Sequence, residues 1–114
     1  MNRRLCHQLV ICIFALTADA AVGQALYWSR NSIWISDLDG QNPGLFVEAL
    51  CARSLALDTS RAELLYADVC VGGIFSVDLS TRTAVLLIPT TPGTTVALAV
   101  EKATGFIYWI DSGF

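Results

Sequence analysis

Few residues in this chain have side chains able to do chemistry, and their placement narrows what they can do. The candidates are four cysteines (Cys6, Cys12, Cys51, Cys70), one histidine (His7) and the carboxylates Asp58, Asp68 and Asp111. His7 falls in an N-terminal stretch that reads as a leader, so the rest of the chain has no imidazole to act as general base or metal ligand. There is no G-x-S-x-G, P-loop or C-x-x-C motif, and Cys51 with Cys70 alone cannot make a cysteine zinc site. In "DLDGQNPGLFVE", Asp37, Asp39 and Glu48 match the first, third and twelfth places of an EF-hand loop. Asn42 stands where that loop needs glycine, and no helical pattern flanks it, so Asp39-Gly40 reads as a turn between strands. The sequence therefore leads us to expect no catalytic residue, no metal and no cofactor.

The elements that must position these residues follow from composition and punctuation. With 114 residues, 54% hydrophobic and 15% charged, the chain is too apolar to be disordered. Part of that hydrophobicity belongs to "MNRRLCHQLVICIFALTADAAVG": Arg3 and Arg4, an apolar run from Leu9 to Leu16, then small residues. This is the layout of a secretory signal peptide over residues 1–20, with cleavage after Ala20 or Gly23; a buried strand or membrane anchor is the alternative. The run is shorter than the roughly 20 residues a bilayer requires. Loss of residues 1–20 removes Arg3, Arg4 and Asp19 and moves the formal net charge from −3 to −4. Nucleic acid is an unsuitable partner for so acidic a chain. The expected location is the secretory pathway and the extracellular side of the plasma membrane. Cys51 and Cys70 would then sit in an oxidising compartment.

An internal repeat organises the remainder. "LALDTSRAELLYAD" (residues 55–68) and "LAVEKATGFIYWID" (residues 98–111) align without a gap at an offset of 43. Leu55 meets Leu98, Asp58 meets Glu101, Leu64 meets Ile107, Tyr66 meets Trp109 and Asp68 meets Asp111. An earlier copy appears in "ALYWSRNSIWISDLDG", where Tyr27-Trp28 repeats Tyr108-Trp109 and Arg30 replaces the aspartate. Short apolar runs separated by Asp-Gly, Gly-Gly and Thr-Pro-Gly predict strands near 25–29, 33–37, 45–49, 55–58, 64–68, 74–78, 84–88, 96–100 and 106–110. The fold class is all-β, and four short strands per repeat of about 40 residues is the signature of a propeller blade. A carboxylate that recurs in successive copies suits a structural task better than catalysis, so Asp68 and Asp111 are expected to bond backbone groups. Tyr27, Trp28, Tyr66, Tyr108 and Trp109 are expected to pack between blades. In a hairpin turning near Arg61, Cys51 and Cys70 lie about opposite one another; a disulfide and a pair of free buried thiols both remain open.

"FIYWIDSG", "LLYADVCVGG", "ALYWS" and "IWISDLDG" resemble the YWTD repeats, or class B repeats, of low-density lipoprotein receptor-type β-propellers. The resemblance covers the chain after the leader. It implies an incomplete six-bladed YWTD propeller spanning 25–114: an incomplete first blade over 25–49, a complete blade over 55–88 and the start of the next over 96–114. Arg30, Ala67 and Ile110 depart from the family pattern. About two blades cannot close a ring, so the resemblance also implies that further blades complete the propeller.

By the same resemblance the chain is a non-enzymatic, extracellular ligand-binding module of a low-density lipoprotein receptor-related cell-surface protein. A leader running straight into the first blade is similar to the Wnt co-receptor branch, which implies protein ligands and a part in Wnt signalling. Two alternatives are a secreted propeller enzyme of the lactonase or NHL-lyase kind and a basement-membrane or growth-factor-precursor propeller. The enzyme would need histidines that the visible strands do not contain.

Overall fold

The computed structural model describes residues 11–15 and 25–112. The proposed cleavage points, His7 and most of the leader lie outside the described residues. Eight strands and no helix make up the described part: β1 (Ile11–Ala15), β2 (Ala25–Ser36), β3 (Gly44–Asp58), β4 (Glu63–Asp68), β5 (Gly73–Asp78), β6 (Ala84–Pro89), β7 (Thr95–Val100) and β8 (Ile107–Asp111). The protein is all-β: β1 to β6 form one antiparallel sheet in chain order, and β7 and β8 form a second. Ile11–Ala15, inside the stretch read as a leader, pairs with Ala25–Ser29 of β2.

Two strands are longer than the punctuation predicts. The segments 25–29 and 33–37 fuse into β2 across Asn31, which takes a φ of 62°. Likewise 45–49 and 55–58 fuse into β3. Residues 30–32 and 50–54 fall between the predicted strands, but the pairing of Asn31 with Ala52 and the bonds of the Ser32 hydroxyl to Ala49 keep both segments within the ladder. β3 therefore serves two partners, pairing through 44–52 with β2 and through 52–58 with β4.

Three layers result. The first is built from β2 and the leading half of β3; the second from the trailing half of β3 with β4, β5 and β6; the third from β7 and β8. Tyr27, Ile33, Phe46 and Val47 of the first share a core with Leu55, Leu64, Tyr66 and Val77 of the second. On the second layer's other face, Leu65, Ala67 and Ile74 share a core with Leu98 of the third, flanked by Val100 and Ile107. Residues 64 and 65 thus point to opposite neighbours, as strand alternation requires.

The repeat is geometric as well as textual. Leu55 pairs with Tyr66 and Leu57 with Leu64; 43 residues on, Leu98 pairs with Trp109 and Val100 with Ile107. A register shift between Ala52 and Ser54 recurs between Thr95 and Ala97. A second shift recurs at an offset of 41: Ile33 faces Val47 and Trp34 faces Leu45, then Ile74 faces Ile88 and Phe75 faces Leu86. Such a bulge sets two residues against one, which is how the consecutive Phe46 and Val47 both reach the core.

The turns follow one plan. Asp58, Asp68 and Asp78 each end a strand, and one carboxylate oxygen of each accepts the backbone N–H groups two and three residues on. The residue four further on has positive φ: Ala62 (51°), Gly72 (83°) and Arg82 (61°). Gly72 alone has no room for a side chain, because a Cβ there would lie 2.6 Å from the Thr90 carbonyl oxygen. Leu64 is fully buried between the first two layers. Replacing it, Leu64→Ala, is expected to cost about 2–5 kcal/mol, read as a drop in the urea midpoint. Leu86→Ala, on a half-exposed strand, should move the midpoint much less.

Candidate functional site

Three of the chemistry-bearing residues, Cys51, Asp68 and Cys70, gather where β3 crosses from the first layer to the second. At that crossing the N–H groups of Leu50 and Cys51 lose their ladder partners, and the Asp68 carboxylate accepts both, at 3.0 and 3.2 Å. It also accepts the N–H groups of Cys70 (3.1 Å) and Val71 (3.2 Å) from its own turn. Asp68 is buried, and these four charge-assisted bonds replace the water it has lost. A disulfide between Cys51 and Cys70, with Cα atoms 5.3 Å apart, ties the same two segments. Val69 N–H donates to the Cys51 carbonyl at 3.1 Å, completing the junction.

The equivalent junction one repeat later is lighter. Ser112 N–H donates to the Thr94 carbonyl (2.8 Å), in the places of Val69 and Cys51. Asp111 accepts the hydroxyls of Thr94 (3.1 Å) and Thr95 (3.0 Å) and is exposed. Threonine hydroxyls thus do at Asp111 part of what backbone N–H groups do at Asp68.

The aromatic residues divide by layer. Tyr27 packs edge-on against Phe46, and Tyr66 stacks on Phe75, both with centroids 5.1 Å apart. Burial pushes the Tyr66 hydroxyl up to about 12, and the nearby Asp68 charge adds to the rise. Burial likewise raises Tyr27, against a smaller opposing pull from the Arg82 guanidinium. Trp28 is half-buried, while Tyr108 and Trp109 are exposed. The structure therefore brings Tyr27 and Tyr66 into one core and leaves Tyr108 and Trp109 outside it.

Asp37 and Asp39 do work within a turn. Asp37 accepts the Asn42 side-chain amide (2.8 Å), and Asp39 accepts the Gln41 N–H (3.0 Å). Among the described residues, Cys51, Asp68 and Cys70 are the one cluster of metal-type donors. Its sulfurs are joined to each other and its carboxylate is occupied by N–H groups, so it offers no free ligand.

Reading the sequence missed the arginines. Arg82 reaches back from the second layer, its guanidinium 4.8 Å from the Phe46 ring centroid and donating to the Leu45 carbonyl (3.3 Å). Arg61 reaches forward to the Lys102 carbonyl (3.0 Å) while pairing with Asp58 at 2.9 Å. Both exposed arginines stand in polar turns, so nothing in the sequence marks them as clasps. Beside the disulfide, Ser29, Arg30, Asn31, Cys51, Ala52, Arg53, Val69 and Cys70 line a groove of about 360 Å³. Arg30 and Arg53 are exposed along it, and neither forms a salt bridge among the described residues. Two guanidiniums and an amide suit carboxylate and carbonyl oxygens. The chain matches no protein-family model, and no curated protein matches it in sequence.

Asp68→Asn places an NH₂ group against backbone N–H donors. It is expected to destabilise the protein by about 3 kcal/mol, whereas Asp78→Asn, on an exposed turn, should shift the urea midpoint far less. A second outcome concerns acid. Burial pushes the Asp58 carboxyl up, but hydrogen bonds from Ser60 and Arg61, with the Arg61 charge, outweigh it and hold the group below the ordinary carboxylate range. The stability Asp58 contributes is therefore complete above its unfolded pKa of about 3.9 and is lost as pH falls through its lower folded value. Midpoints measured from pH ~5 down to ~2.5 should fall less steeply in Asp58→Asn than in the parent protein.

Proposed function

We propose that this chain is part of a non-enzymatic, extracellular ligand-binding module of the YWTD propeller type, belonging to a low-density lipoprotein receptor-related cell-surface protein. In this reading each layer is a blade, and later blades complete the ring. The place that β1 occupies along β2 passes to a strand from the far end of the completed protein once the leader is removed. The ligands are proteins, with Wnt-type signals or their antagonists as the class that the resemblance suggests. The observation that carries this reading is the recurrence of the same strand register and the same two bulges at offsets of 43 and 41. An accidental similarity of apolar pattern has no reason to repeat its bulges. The groove with Arg30 and Arg53 supplies a surface that would take an acidic stretch of a partner.

Two measurements test it. Expressed in cultured animal cells with its own N-terminus, the chain is expected in the medium, with mass spectrometry placing the new N-terminus at Ala21 or Gln24. Retention of uncleaved chain in the cytosol would overturn the extracellular reading. Screened against immobilised peptides from secreted proteins, the chain should retain acidic ones. The double substitution Arg30→Ala/Arg53→Ala should weaken retention roughly tenfold or more; unchanged retention would remove the groove from the ligand site.

A further inference from the structure

The Cys51–Cys70 disulfide is not the only tie across the junction it spans. Asp68 already joins the two segments, accepting the N–H groups of Leu50 and Cys51 on β3 and of Cys70 and Val71 in the turn. One repeat later, Thr94 and Gly113 stand in the sequence where Cys51 and Cys70 stand, so no disulfide can form there. The Thr94 carbonyl nevertheless accepts the Ser112 N–H as the Cys51 carbonyl accepts that of Val69. The repeat therefore builds this junction with and without sulfur, and opening the bond leaves the Asp68 contacts available to hold it.

The surroundings of the disulfide favour an incoming anion. Cys70 is exposed and Cys51 half-buried, so an attacking group meets Cys70 first. Asn31 faces Ala52 across the β2–β3 ladder, which sets Arg30 and Arg53 beside that pair on neighbouring strands. Both arginines line the same groove of about 360 Å³ as the two cysteines, both are exposed, and neither forms a salt bridge among the described residues. The carboxylate nearest the sulfurs, Asp68, is buried and occupied by its four N–H donors. A thiolate is the nucleophile in disulfide exchange, and nearby cations both attract it and stabilise the thiolate that leaves. The same guanidiniums suit a carboxylate.

We infer that this groove is a thiol–disulfide exchange site for small acidic thiols, molecules that carry both a thiol and a carboxylate. The carboxylate pairs with Arg30 and Arg53 while the thiolate attacks Sγ of Cys70. A new S–S bond joins the incoming sulfur to Cys70, the Cys51–Cys70 bond breaks, and its electron pair leaves on Cys51 as a thiolate that takes a proton from water. One disulfide is exchanged for another, so no outside oxidant or reductant is consumed. The product is the folded protein with a mixed disulfide on Cys70 and a free thiol on Cys51. The inference shares the groove with the proposed ligand site but does not depend on the receptor reading or its protein ligand.

The test takes the purified, oxidised chain and three small thiols of different charge, mercaptopropionate, mercaptoethanol and cysteamine, at equal thiolate concentration. Samples quenched with N-ethylmaleimide are read by mass spectrometry, which quantifies the adduct and maps it to a peptide. Exchange should run roughly tenfold faster with mercaptopropionate than with cysteamine, and the adduct should sit on Cys70. Raising the ionic strength should shrink that difference. Arg30→Ala/Arg53→Ala should abolish it while keeping the far-ultraviolet circular dichroism of the parent chain. Absence of an adduct, equal rates for the three thiols, an adduct on Cys51, or exchange only as fast as the chain unfolds would each overturn the inference, as would an unchanged order of rates in the variant. If the order of rates holds in the parent chain while acidic peptides are not retained, the exchange site stands and the protein ligand falls.

Discussion

A β-strand that leaves one sheet layer and enters another must, for a residue or two, abandon its ladder partners, and buried N–H groups without partners are costly. The whole architecture depends on how β3 meets that constraint. At Leu50 and Cys51 the Asp68 carboxylate takes over as acceptor, and because it also holds the turn at Cys70 and Val71, one side chain fixes both segments. The Cys51–Cys70 disulfide adds a covalent tie across the same junction. With the crossing held, the first layer can lie against the second and bury Tyr27, Ile33 and Leu64 together.

From that crossing the rest follows by repetition. Equivalent bulges turn equivalent residues inward, and the alternation of side chains along β4 sends Leu64 to one neighbouring layer and Leu65 to the other. The second layer is therefore apolar on both faces, which is why "ELLYAD" reads as a nearly continuous apolar strand rather than an alternating one. Arginines complete the stack at its rim. Arg82 clasps the first layer and Arg61 the third, each setting a planar cation on a backbone carbonyl of the neighbouring layer.

The two junctions differ in strength for a chemical reason. Asp68 is buried and accepts four backbone N–H bonds beside a disulfide, whereas Asp111 is exposed and accepts two hydroxyls. The second layer has a neighbour on each side, while the third is covered on one face among the described residues. Its strand β8 displays Tyr108 and Ile110 where β4 hides Leu65 and Ala67. The groove beside the more heavily bonded junction sets Arg30 and Arg53 next to the disulfide.

The sequence by itself determined the all-β class, the spacing of the repeat and the residues that recur in it. These depend on local rules: alternation in strands, turn chemistry at aspartate and glycine, and self-similarity at a fixed offset. It marked Asp68 and Asp111 as a matched pair and Tyr27 and Tyr66 as packing residues, but not the difference between their surroundings. Only the tertiary structure decided that 30–32 and 50–54 stay within strands, since the acceptor for Leu50 and Cys51 lies on another strand, 17 or 18 residues away. The same holds for Arg30, Arg53, Arg61 and Arg82: an exposed arginine looks like any solvated charge until the folded chain supplies the carbonyl, ring or groove that it faces. Contacts between layers carry no local signature, so the roles they assign become legible only in the folded chain.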